Sequence, residues 1–598
     1  MFGAFQFTSK LTSLYKHRLE GRNIRVLELL PGYPNEIIRC HLIDISLENE
    51  ETLPYEALSY VWGDPKVTET ILVDGHVCSI TVNLAHALRR LRADITPDNA
   101  EQREDLERSI EAMSASMTQL ALGGRALWID AVCINQKDDL EKTAQVQLMR
   151  QVYSNATKTI AWLGDDASED VAAAIESINY VHEVLHKGQL AQNLYAYKDR
   201  PVGDEQGQLS LKSLEATMKQ RGWSDPLQSV DKFFSCPWWS RVWVVQEVVL
   251  GSRVQLLYGP RDIDAHKVAA FTVWHDRRGW LEPSTLYGVY RAWRRFHTDP
   301  RHASPVHMLN NFRDLKCTDP KDKVFGLAGI MAQEFVTVDY TKSVVQIYTE
   351  FIVGALRAER DLYVLSYVGH DEEDDHSDEW PSWVAQWNRP GDSWVLWNEL
   401  NHWAASRRSV AIADLDLALR GTLVVKGLTF DTITRTSGKL LDTTGQYEDD
   451  KSFRRGFLAA YHDITGALES EGLTDRETSE ADAFLQSLVE FSQVSFMDEK
   501  KAKAQKSDHF KVVWSIGHDR KIFRTSRGHL GLGSRNVREG DKVIVLDGAK
   551  LPHIVRHKAP EQGTWSFVGD CVVQGIMEGE VYDLNGENGV EEQVFNLV

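Results

Sequence analysis

The stretch that decides the fold is Ala126-Leu127-Trp128-Ile129-Asp130-Ala131-Val132-Cys133-Ile134-Asn135, answered further on by Lys158-Thr159-Ile160-Ala161-Trp162-Leu163-Gly164. Each is a short apolar run bounded by polar or turn residues, the pattern of a strand buried on both faces. Between them, Asp138 or Asp139 opens a helix that runs through Met149 and Tyr153. Strand, helix and strand in that order predict a parallel sheet with helices on its faces. Asp130 is the exception, because a carboxylate inside an apolar strand needs a backbone or arginine partner.

Reading toward the N-terminus, Tyr55-Glu56-Ala57-Leu58-Ser59-Tyr60-Val61-Trp62 is a further apolar run, stopped by Gly63-Asp64-Pro65. It predicts a buried strand ending in a turn. Residues 24–30 and 38–45 read as strands. Residues 70–73 and 78–82 flank Asp74-Gly75, a hairpin signal, and Asn83 is positioned to cap the next helix. Residues 1–23 read as a weakly amphipathic leader. Toward the C-terminus, a strand over 253–258 closes an α/β domain spanning 24–260. A helical region follows over 261–368, then an acidic loop over 369–380. Residues 381–598 are mixed, then β-rich. Strands at 510–516, 521–525, 542–546, 553–557 and 567–575 predict a small antiparallel barrel or sandwich.

The chemistry concentrates in Cys236-Pro237-Trp238-Trp239-Ser240-Arg241-Val242-Trp243-Val244-Val245-Gln246-Glu247. Pro237 suits the first turn of a helix, where its missing N–H is no loss. Continued as one helix, Trp239, Trp243 and Glu247 share a face. A carboxylate beside indoles either pairs with a cation, Arg241 or Arg253 here, or performs chemistry.

The whole-chain balance narrows the classes. The 598 residues exceed one core. A formal charge of −20 with no long basic run excludes broad nucleic-acid binding. No apolar run is long enough to span a bilayer. The six cysteines are scattered singly, which excludes a zinc ribbon and favours a reducing, cytoplasmic location. No phosphate-binding loop, zinc-protease helix or serine-nucleophile elbow is present, and no metal site is predicted.

Three blocks together resemble the heterokaryon incompatibility (HET) domain of fungal proteins. They are Tyr55 to Asp64; Leu127-Trp128-Ile129-Asp130 through Gln136, Glu141, Gln145, Met149 and Tyr153 to Gly164; and Pro237-Trp238-Trp239-Ser240-Arg241-Val242-Trp243 with Gln246-Glu247. Asp319-Pro320-Lys321-Asp322-Lys323-Val324-Phe325-Gly326-Leu327 also looks like a segment that often follows this domain. The resemblance implies a cell-death effector of heterokaryon incompatibility, acting through self-association or a protein partner. HET domains are distantly similar to Toll/interleukin-1 receptor (TIR) domains, which implies a mainly parallel TIR-like sheet. Trp243-Val244-Val245-Gln246-Glu247-Val248 looks like a TIR pattern whose glutamate cleaves NAD. By that analogy Glu247 is the candidate catalytic carboxylate of an NAD hydrolase. Trp62, Gly63, Asp64, Asn135, Gln136, Arg241 and Trp243 are then the candidate residues for binding NAD as substrate, with no cofactor required. The plain alternatives are a core or rim tryptophan, a turn at Gly63-Asp64, helix capping by Asn135 and Gln136, and an ion pair at Arg241.

Overall fold

The computed structural model describes residues 14–49, 52–95, 124–187, 220, 226–276, 288–289, 292–293, 296–297, 304–331, 335–369, 380–389, 403–407, 414–439, 450–465, 473–496, 517, 519–584 and 590–598. The acidic loop and the strand expected over 510–516 lie outside these residues, as does most of the leader. The chain divides into two compact units. The first comprises Met1–Ser304, Leu315–Ala332 and Val338–Thr341, and the second the remainder.

The first unit is built on a nine-stranded sheet. Its strands are β1 (Asn23–Leu29), β2 (Arg39–Ser46), β3 (Glu56–Tyr60), β4 (Thr68–Val73), β5 (His76–Thr81), β6 (Arg125–Trp128), β7 (Thr159–Gly164), β8 (Val254–Tyr258) and β9 (Arg261–Asp264). They lie in the order β5-β4-β2-β1-β6-β3-β7-β8-β9. The sheet is mixed, which corrects the expectation of a mainly parallel one. The run β6-β3-β7-β8 is parallel, and β2 meets β4 in parallel. The pairs β1–β2, β1–β6, β4–β5 and β8–β9 are antiparallel. The Asp74-Gly75 turn forms as read, with φ of +50° and +76° joining β4 to β5.

The helices of this unit are α1 (Val82–Ala93), α2 (Asp130–Cys133), α3 (Asp139–Asn155), α4 (Glu169–Lys187), α5 (Pro226–Phe234), α6 (Trp243–Leu250), α7 (Ala265–Asp276) and α8 (Asp322–Ala328). Asp138 caps α3 by accepting from the Leu140 and Glu141 amides, as its position predicts. Three readings need correction. The apolar run 126–135 is not one strand: β6 ends at Trp128 and α2 follows, so Asp130 opens a helical turn at the strand's carboxyl end. Asn83 does not cap α1. Its amide donates to Val61 O (2.6 Å) and its side-chain oxygen accepts from Trp162 Nε1 (2.9 Å), bracing the ends of β3 and β7. The tryptophan-rich run is not one helix either. Pro237–Ser240 is a 3-10 turn, Arg241 is extended (φ −86°, ψ 137°), and α6 starts at Trp243. The break has a partner. The Val242 amide donates to Lys316 O (3.0 Å) and the Lys316 amide to Ser240 O (2.6 Å), so a distant segment captures the backbone that a continuous helix would use.

The second unit carries a seven-stranded, β-rich structure: β10 (Leu423–Lys439), β11 (Arg520–Thr525), β12 (Leu530–Ser534), β13 (Lys542–Leu546), β14 (His553–Ala559), β15 (Thr564–Val573) and β16 (Glu591–Leu597). Their order is β11-β12-β15-β14-β13-β10-β16, and β10 also pairs with β11, which closes the ring. Register shifts along β10 bend this long strand so that it serves three neighbours. Leu428, Phe430, Phe523, Val543, Val545, Ile554 and Val568 belong to its core. Around it are α9 (Val344–Glu359), with a complete capping box at Ser343 and Gln346, and the helices α10 (Asp450–Thr465) and α11 (Asp475–Phe496).

Candidate functional site

Glu247 sits on α6, whose residues from Val244 to Leu250 are all buried. Four valines and a leucine in eight residues explain why this helix lies in the core rather than on it. Gly251 ends it. A Cβ there would lie 2.6 Å from Thr159 Oγ1, so only glycine lets the chain turn under β7. On the other side, the Gln246 side chain accepts the Gly329 amide (2.9 Å), which ties α6 to the segment after α8.

The Glu247 carboxylate is sealed in, with the residue only 3% exposed. It accepts a short hydrogen bond from Ser59 Oγ at the end of β3, and another from Tyr153 on α3. Ser59 Oγ in turn accepts from Trp238 Nε1 (2.7 Å). Arg241 Nη1 stands 3.7 Å away, and Nη1 has no hydrogen-bond partner. Burial pushes the Glu247 carboxyl above its ordinary range; Arg241 and the hydrogen bonds oppose this without cancelling it. Arg253, the other cation considered, stands beside Asp264 instead (3.9 Å).

Asp130 forms the second half of the cluster. Trp62 Nε1 donates to its Oδ2 (2.9 Å) and the Ala131 amide to its Oδ1 (2.7 Å). Its carboxyl is also pushed up by burial, with Arg241 again the main opposing charge. One guanidinium thus serves two carboxyls, Glu247 buried and Asp130 partly buried, and the charge of Asp130 disfavours ionisation of Glu247. The arrangement favours retention of a proton.

A small cleft opens on the far side of Trp62. Tyr15, Tyr60, Trp62, Ile80, Thr81, Leu84, Val132 and Gln136 are among its walls, and Glu247 is not. The predicted residues therefore separate. Trp62 and Gln136 line the cleft, and Gln136 Nε2 also donates to Asp130 O (2.8 Å). Glu247 and Arg241 lie in the buried cluster. Gly63 takes φ +79° and Asp64 caps the turn by accepting the Lys66 amide (2.9 Å). Asn135 gives its amide to Glu141 (2.8 Å) and accepts from the Lys137 amide (3.3 Å). Trp243 points to α8, where its indole hydrogen-bonds Asp322.

That contact leads to another buried carboxylate. Asp322 accepts from Tyr340 OH (2.6 Å), and burial raises its carboxyl to about 6. Sequence reasoning quoted Asp322 but gave it no role, and it did not single out Ser59, Tyr153, Trp238, Tyr340 or Tyr15. Ser59 carries a legible signal, a hydroxyl in an apolar strand. The others are aromatic residues that sequence pattern assigns to the core.

Comparison with known proteins places these features. Residues 55–247 match the family described as heterokaryon incompatibility protein (HET). Residues 445–590 match the Het-6 beta-barrel domain, the region that contains β11 to β15. The chain is similar to heterokaryon incompatibility protein 6, OR allele, of Neurospora crassa, with 25% identity covering 94% of both chains. No solved structure matches. The two matched regions follow one another in this chain, a HET match over residues 55–247 and a Het-6 barrel match over residues 445–590, and along 94% of its length the chain is similar to a fungal heterokaryon incompatibility protein.

Proposed function

We propose that this chain is an effector of heterokaryon incompatibility that triggers regulated cell death in the cytoplasm. Its HET domain acts by self-association or by recognising a protein partner, and Glu247 organises the core instead of cleaving NAD. The observation that carries this reading is the closure around Glu247. A carboxylate that holds a ribose during glycosidic cleavage must meet its substrate. Here Ser59, Tyr153 and Arg241 surround it, and the cleft beside Trp62 does not reach it. The six free thiols suit a reducing compartment.

The test uses the full chain. Incubation with NAD is expected to release no nicotinamide, and Glu247→Gln is expected to keep cell killing in a fungal host. Nicotinamide release that Glu247→Gln abolishes at unchanged melting temperature would replace this reading with the NAD hydrolase. One observation favours that second reading. Arg241 Nη1, buried and without a hydrogen-bond partner between two carboxyls of raised pKa, is the kind of incompletely satisfied cluster found at reactive sites.

A further inference from the structure

The cleft beside Trp62 is lined by uncharged residues. Three aromatic rings, Tyr15, Tyr60 and Trp62, face aliphatic groups that include Ile80, Leu84 and Val132. None of its lining residues is Asp, Glu, Lys, Arg or His. Its position is set from behind, because the bond from Trp62 Nε1 to Asp130 Oδ2 fixes the indole plane. One polar group remains uncommitted. Thr81 is 4% exposed, its Oγ1 is buried, and that oxygen has no hydrogen-bond partner. A buried hydroxyl without a partner carries an uncompensated desolvation cost. Thr81 therefore marks a place where a bonded ligand group or a water belongs.

The ring of Tyr15 is part of the same walls. It arrives from the segment before β1 and donates through its hydroxyl to Val132 O (3.0 Å) and Ile134 O (3.3 Å). The Arg25 guanidinium lies over its ring at 4.8 Å. Neighbouring residues pin the same segment: Arg18 Nε pairs with Asp138 (2.7 Å), and Leu14 and Leu19 are buried. With Tyr15 in place, the remaining space is water-sized.

We propose that this cleft is a binding site for a small, neutral, planar aromatic molecule, that Thr81 Oγ1 hydrogen-bonds a polar substituent of that ring, and that Tyr15 is the chain's own cover over the site. The chemistry selects the ligand class. A lining without a charged side chain suits an uncharged ring and leaves a carboxylate or pyrophosphate unmatched, because the Arg25 guanidinium beside Tyr15 is already paired with Glu141. The site differs from the Glu247 cluster and does not depend on that cluster's role. Because ligand and Tyr15 compete for one space, affinity is reduced by the fraction of molecules with Tyr15 seated, and removing its ring restores affinity.

The experiment is ligand-observed NMR on the full chain with phenol, toluene, benzoate and NAD as separate probes. Tyr15→Ala is expected to bind phenol at least tenfold more tightly than the unsubstituted chain, and benzoate and NAD no better than the unsubstituted chain does. Adding Trp62→Ala is expected to abolish phenol binding. Adding Thr81→Val is expected to weaken phenol about tenfold and leave toluene unchanged. Tyr15→Leu keeps apolar cover for the core and serves if Tyr15→Ala does not fold. Failure of phenol to bind either folded Tyr15 variant, benzoate binding as well as phenol, or phenol binding that survives Trp62→Ala overturns the proposal. Nicotinamide release bears on Glu247 alone, so the two readings fail separately.

Discussion

Two arginine–carboxylate clusters lie buried in the HET-bearing unit, and they are finished to different degrees. Arg25 and Glu141 meet through two bonds of 2.6 and 3.2 Å, with side chains 4% and 1% exposed. Two further Arg25 N–H groups reach Cys133 O and His17 O, Nε stands 3.8 Å from Asp44, and Glu141 also accepts the Asn135 and Leu19 amides. The Arg25–Glu141 pair is hydrogen-bonded on both sides in good geometry. Arg241 and Glu247 approach only to 3.7 Å, a second carboxyl shares the guanidinium, and Nη1 is left over. A complete pair acts as a fastener, here joining the segment before β1 to β1, α2 and α3. An incomplete one leaves an unused donor beside carboxyls whose pKa burial raises. Both involve residues quoted in the HET blocks, so the residue types alone do not say which is which.

The largest test of this contrast removes the surroundings of the second cluster. The first compact unit includes Leu315–Ala332 and Val338–Thr341, and α8 lies against α6: a Cβ on Gly326 would come 3.0 Å from Val242 Cγ1. A fragment ending at residue 260 lacks all of this. It is expected to lose cooperative unfolding by calorimetry, whereas a fragment ending at 341 keeps it. Cooperative unfolding of the shorter fragment would show that α6 holds its place without α8. The next effect belongs to the complete pair. Glu141→Ala leaves Arg25 buried and unmatched, and should cost roughly 3–5 kcal/mol in denaturant unfolding. A loss below about 1 kcal/mol would erase the distinction between the clusters.

Smaller effects are expected at the incomplete pair. Glu247→Ala strands Ser59 and Tyr153 hydroxyls and opens a void, for about 2–3 kcal/mol. Glu247→Gln keeps the shape and should cost about 1 kcal/mol or less, because the carboxyl it replaces is disposed to stay protonated. Arg241→Met should cost less at pH 5 than at pH 8. The sign follows from the raised pKa of both carboxyls. A carboxyl raised on folding adds stability that is full below its unfolded pKa and fades as pH rises through the folded one. Without Arg241 both pKa values rise further, so the loss grows with pH. An equal cost at both pH values would mean that neither carboxyl titrates with folding.

The sequence was most readable where one periodicity governed one element. The runs at 55–62 and 158–164 became β3 and β7, the 74–75 turn formed, and Asp138 caps α3. It misled where a distant segment competed for the backbone. Residues 126–135 contain no residue that forbids a strand, and the turn into α2 places Asp130 against Trp62 and Arg241. Residues 237–250 contain nothing that forbids one helix, and Lys316 supplies the break from outside. The mixed sheet has the same cause: strand direction depends on pairing partners that local pattern does not encode. At the site, the polar types at 59, 130, 241 and 247 were visible, but their connection was not. Ser59 and Glu247 are 188 positions apart, a separation that no spacing rule spans.

The finest test uses Asp322, a buried carboxylate whose partners are a hydroxyl and an indole rather than a guanidinium. If missing arginine geometry is what leaves a carboxyl protonated, this one should titrate near neutrality, and burial does raise it to about 6 from an ordinary 3.8. Its contribution to stability is then full below about pH 4 and is lost as pH rises through 6. Asp322→Asn keeps an acceptor for Tyr340 and removes the charge. It is expected to leave stability unchanged at pH 4 and to raise it by up to about 3 kcal/mol at pH 8, read as a rise in melting temperature at pH 8 alone. A variant less stable than the parent at pH 8 would mean that Asp322 is ionised and stabilising there. The nearby Lys142, whose ammonium lies 3.9 Å from the centre of the Tyr340 ring, would then do for Asp322 what Arg25 does for Glu141.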